Sequence, residues 1–258
     1  MPLESRSFDE VEIQDEGSFG HVGLYAELKR ALRAAKPKFL VPATGTRLSW
    51  DRATFLNLTF WSAEEGADVL CEGSVAADVI AHIAWHHLAG TFLRRAAGPG
   101  AASAAAFFAG ESIASAFDLY LVGRMLPNAP DSDFITTQVP ILRDVASEAG
   151  LPDADFEALL EEVVREPERA FEDLRALLFE ASVALHACRD APQAQVALER
   201  WAGRRFEPLL HHYQLSNWIL YARAYGASSP AHDAAAAALH SSLRTAPVAL
   251  DWLQAQWL

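Results

Sequence analysis

Apolar residues recur three and four positions apart along most of the chain, the spacing of one helical face. In HVGLYAELKRALRAAK, residues 21–36, Leu24, Leu28 and Leu32 share such a face, and Pro37 closes the segment. After a glycine turn at Gly45, the period changes to two in TFLNLTF, residues 54–60. There Leu56, Leu58 and Phe60 alternate with Phe55, Asn57 and Thr59, which predicts a half-buried strand. GADVLCEG, residues 66–73, predicts a second short strand or turn ending at Gly73.

The helical period then returns. Ser74 suits the N-cap of a helix from Val75 to about Leu88, ahead of Gly90. The GPG at 98–100 predicts a loop, and a second apolar helix follows over about 101–125. Pro127, Pro130, Asp131 and Asp133 mark a linker. Beyond it only helices are expected, near 136–149, 153–165, 168–189, 192–203, 207–225, 230–243 and 247–257. Pro152, Pro167, Pro192, Pro208 and Pro230 stand near their starts, where proline is tolerated. The alanine tract at 234–240 reflects helix propensity, and no internal repeat is visible. The expected fold class is α+β. Residues 1–20 form a flexible arm, 21–130 a mixed half, and 131–258 an all-helical half.

Composition narrows the function. The 258 residues are 51% hydrophobic and 21% charged, as in an ordinary globular protein. A net charge of −13 argues against binding nucleic acid or an anionic membrane, since both need a basic face. The 101–126 run carries Glu111, Asp118 and Arg124, which makes it a poor membrane span. The N-terminal residues are acidic and lack an apolar stretch, so no secretory signal is expected. Cys71 and Cys188 lie far apart, as free thiols of a reducing compartment would. These features together predict a cytoplasmic protein.

Chemistry concentrates in DVIAHIAWHHLAG, residues 78–90. His82 and His86 are four apart, on one helix face, and can share a metal ion. His87 points about 100° away and is not expected to join them. Glu111 stands in FFAGESIASAF, a segment apolar nearly all round, and a buried carboxylate is costly unless it is paired or binds a metal. A salt bridge to Arg94, Arg95 or Arg124 would satisfy it in a purely structural way.

Two histidines with this spacing, followed after 24 residues by a glutamate on the next helix, resemble the gluzincin zinc metallopeptidases. AHIAWHHLAG resembles the active-site helix of that family and GESIASAFDLYL its glutamate helix. The resemblance covers about residues 39–126 in detail. It implies a zincin-type mixed half, with the 54–60 strand lining a substrate cleft that the helical half closes. It implies zinc, with iron as the lesser choice, held by His82, His86 and Glu111.

Two departures change what it implies. The family's general base follows its first histidine, and Ile83 stands there. Its frequent aspartate four residues after the glutamate is Ser115 here, with Asp118 further on. Loss of the base costs hydrolysis on the order of 10²–10⁴-fold. No catalytic residue is therefore assigned. The expected function is a degenerate peptidase-like protein that binds a peptide or small protein without cleaving it, as an accessory to peptide processing or maturation. Asn57, Thr59, Asp118, His211, His212 and Tyr213 are its candidate ligand contacts. Two alternatives stand beside it. One is a working hydrolase or non-haem iron oxidase on the same three ligands; the other is a metal-free helical protein.

Glu180 and His186 are six apart and miss the Glu-x-x-His spacing of di-iron bundles. No phosphate loop, nucleophile elbow or dinucleotide fingerprint is present. Trp85, beside the histidines, is expected in the core or shaping a pocket.

Overall fold

The apolar stripe of residues 21–36 closes into α1 (Gly23–Ala35), which buries Tyr25, Leu28 and Leu32 and ends where Lys36 turns left-handed. The computed structural model describes residues 3–43, 60–61, 68–70, 73–98, 102–226 and 230–258. The chain divides into two units, Met1–Ala84 and Trp85–Leu258.

The first unit holds all the described strands, and none is longer than five residues. β1 (Leu3–Ser7) pairs antiparallel with β3 (Lys38–Pro42), Leu3 opposite Pro42 and Ser7 opposite Lys38. β3 runs parallel to β5 (Asp68–Val69), and β5 pairs with β4 (Phe60–Trp61), giving the order β1-β3-β5-β4. A separate parallel pair joins β2 (Glu12–Gln14) to β6 (Ser74–Ala76). Residues 3–20, expected as a flexible arm, thus supply two strands and two short 3₁₀ turns, with Phe8 and Phe19 in the core. The strand predicted at 54–60, with Asn57 and Thr59, lies outside the described residues except for Phe60 in β4.

α2 (Ala77–Ala97) starts in the first unit and continues into the second. α3 (Ala104–Met125) is the spine of the second unit. The Ser103 hydroxyl caps it by accepting from the Ala106 amide at 3.1 Å, and nearly every side chain beyond is buried. α3 packs chiefly along α6 (Pro167–Ala187) and also on α5 (Asp153–Arg165), α9 (Pro230–Thr245) and α4 (Asp133–Glu148). At Gly123 the approach is so close that a Cβ would stand 2.6 Å from the Val163 carbonyl oxygen. Among the described helices, α3 alone is long and apolar enough to cross a membrane, and 78% of its most apolar window is buried inside the fold. α7 (Ala191–Glu199), α8 (Leu215–Tyr225) and α10 (Ala249–Trp257) complete the helical set.

The α+β expectation is therefore corrected. Among the described residues the chain is mostly helical, with only short strand pairs, and its N-terminal half is not a mixed α+β half of zincin type. The physical reason lies in strand length. Pairs of two to five residues close few ladder bonds, while the long apolar runs at 77–97 and 104–125 carry the helical period and an excess of alanine.

Candidate metal centre

Ile80, Ala81, Ile83, Ala84 and Trp85 are all buried, and this fixes the rotation of α2 about its axis. His82 and His86 are left half-buried on one face. Glu111, on α3, is also half-buried between Gly110 and Ser112, both fully inside. One ligand atom from each of His82, His86 and Glu111 lies within 4.8 Å of the others, so the group can hold a metal ion. His86 Nε2 stands 3.5 Å from Glu111 Oε2, with the two side chains 34% and 18% exposed. Solvent therefore reaches the centre. Gly110 leaves room for the imidazole: a Cβ there would lie 3.6 Å from His86 Nδ1, an ordinary contact, but nothing longer fits without pushing the ring.

The other candidates separate into distinct places. Ile83 is buried and offers no base beside His82. His87 is exposed. Trp85 is a core residue, packed edge-on against Phe117 and Trp257 at centroid distances of 5.5 and 6.1 Å. Arg124, offered as a structural counter-ion for Glu111, bonds to Glu168 and the Tyr120 hydroxyl. Glu180 pairs with Arg204 at 2.7 Å and faces His240, whereas His186 lies edge-on to Phe108.

Asp118, His212 and Tyr213 form a second neighbourhood, two turns along α3 from Glu111. Burial pushes the His212 imidazole down, and the Asp118 charge partly opposes it. Burial pushes the Tyr213 phenol up, and Asp118 adds to that shift. The His212 and Tyr213 rings meet edge-on at 4.9 Å, and His211 is exposed. Among the described residues, only His82, His86 and Glu111 gather as a metal-binding group.

Sequence reasoning missed Gly110, Phe107 and Tyr221. Phe107 precedes Glu111 by one turn and stacks on Tyr221 of α8 at 4.8 Å. The i, i+4 relation of Phe107 to Glu111 is readable in the sequence, but the approach of α8 is not.

No family model, no curated protein and no solved structure matches this chain.

Proposed function

We propose that this chain is a metal-dependent binding protein that holds one divalent ion, zinc in preference to iron, through His82, His86 and Glu111. The observation that carries the reading is the 3.5 Å between His86 Nε2 and Glu111 Oε2, with His82 in the same group. Two donors each about 2.1 Å from a tetrahedral ion lie about 3.4 Å apart, so the pair is already at zinc spacing.

The residues divide the work. His82 and His86 supply neutral nitrogen lone pairs, Glu111 supplies one anionic oxygen, and Gly110 gives the His86 ring its space. Three protein donors are the number used by zinc sites that keep a position open for a ligand. When bound, the ion supplies Lewis acidity at that open position. Ile83 contributes no base there, which supports ligand binding over peptide hydrolysis. Binding of an extended peptide calls for an exposed edge strand, and the strand expected at 54–60 lies outside the described residues except for Phe60, so the metal-binding group carries the ligand-binding reading.

Elemental analysis of the purified full chain tests the reading. About one zinc per chain is expected in the wild type, and a large loss in Glu111→Ala at unchanged helical content. Equal metal content in both proteins would refute the assignment.

A further inference from the structure

An aromatic row begins one turn from the metal centre. Phe107 and Glu111 share a face of α3, with Cβ atoms about 5–6 Å apart. Helical side chains lean toward the N-terminus, so Glu111 lies over the turn that carries Phe107 and Phe108. The Phe107 ring stacks on Tyr221 at 4.8 Å and 28°, and Tyr221 meets Tyr225 at 5.0 Å. Phe107 and Tyr221 are partly exposed, and Tyr225 is 63% exposed. The row is partly exposed at Phe107 and Tyr221 and open at Tyr225, and its Phe107 end lies one helical turn from Glu111.

Charge selects what this row would hold. A divalent ion with two neutral imidazoles and one carboxylate keeps one net positive charge, so its open position favours an anionic donor. Resting on the metal reading above, we infer that Phe107, Tyr221 and Tyr225 form the subsite for the ring of a small aromatic carboxylate whose carboxyl group binds the metal. A ring stacked on the open side of this row, whose Phe107 end lies one helical turn from Glu111, suits a carboxylate carried on a short linker. The site thus prefers arylacetates to short aliphatic acids. Ring–ring contact supplies discrimination of about tenfold.

Cobalt(II)-loaded full-length protein separates this inference from the reading beneath it, because the visible spectrum of cobalt reports the metal centre itself. Phenylacetate and acetate are titrated against that spectrum in the wild type, Tyr221→Ala and Tyr225→Ala. The expected result is about tenfold tighter binding of phenylacetate than acetate in the wild type. That preference shrinks in both variants while their cobalt spectra without ligand stay unchanged. Tyr225 is exposed, so its variant remains informative if Tyr221→Ala folds poorly. Equal affinity for the two acids with cobalt bound, binding of neither, or a preference that survives both substitutions would overturn the subsite. No cobalt signal in any of the proteins would overturn the metal reading itself.

Discussion

Nε2 of His86 faces Oε2 of Glu111 across 3.5 Å, and Gly110 backs the other nitrogen of the same ring. Position 110 therefore controls the imidazole without being a ligand. Gly110→Ala adds a Cβ at ordinary contact distance and gains up to about 1 kcal/mol of helix propensity, so metal binding and stability should both hold. Gly110→Leu overpacks the site by about 1–3 kcal/mol and turns the ring. Calorimetric zinc titration should show tight binding for the alanine variant and at least tenfold weaker binding for the leucine variant.

Arg175 is almost fully buried, and its fork meets Glu172 twice at 2.7 Å, Nε to Oε2 and Nη2 to Oε1. Removing Glu172 leaves the buried Arg175 charge without its carboxylate partner. Glu172→Leu should cost about 3–5 kcal/mol in urea denaturation, and the double variant Glu172→Leu, Arg175→Met should regain most of that loss. A double variant no more stable than Glu172→Leu would show that the ion pair itself is needed.

Arg175 also bears on the protonation of the half-buried His240, whose Nδ1 lies 3.2 Å from Arg175 Nη1 while Nε2 faces Glu180 at 3.5 Å. Burial, then the Arg175 charge, push this imidazole from 6.5 down to about 4; Arg244 adds to the shift and Glu180 opposes it. Between those two values the unfolded chain binds more protons than the native one, so stability falls as the pH drops through this window. His240→Gln removes the titration. Its denaturation midpoint should change less between about pH 7 and about pH 5 than that of the wild type.

Position 83 is where a metallopeptidase would carry its base, and here it is an interior site, 6% exposed. A carboxylate placed there would be buried on a helix beside Ile80 and Ala84, both in the core. Ile83→Glu should lose several kcal/mol of stability and gain no peptide cleavage, as read by thermal melting and a peptide-library assay. Metal-dependent cleavage by a stable Ile83→Glu protein would instead support the peptidase resemblance.

Helix geometry alone puts His82 and His86 on one face, whereas joining Glu111 to them as a candidate metal group rests on the family resemblance, because its helix meets theirs through tertiary packing. Helix ends were harder. The expected stop before Gly90 is absent because α2 continues to Ala97 and ends where Gly98 adopts φ +84, the conformation that terminates helices. The helix expected over 207–225 is a 3₁₀ segment, Glu207–Tyr213, followed by α8. Gln214 separates them at φ 47, a break that no glycine announces. A strand in the N-terminal segment escapes local rules for the same reason. β1 is LESRS, with no apolar face, and exists because β3 lies beside it some thirty residues later. The Phe107–Tyr221 stack likewise depends on where α8 packs, which no periodicity encodes.

Zinc-edge X-ray absorption on the zinc-loaded full chain tests the central claim most directly. The account predicts only nitrogen and oxygen neighbours at about 2.0–2.2 Å, with the scattering pattern of two imidazoles, and a signal that weakens with loss of bound zinc in His86→Ala. A sulfur shell at about 2.3 Å, which would bring in a cysteine, or a spectrum unchanged by His86→Ala, would contradict it.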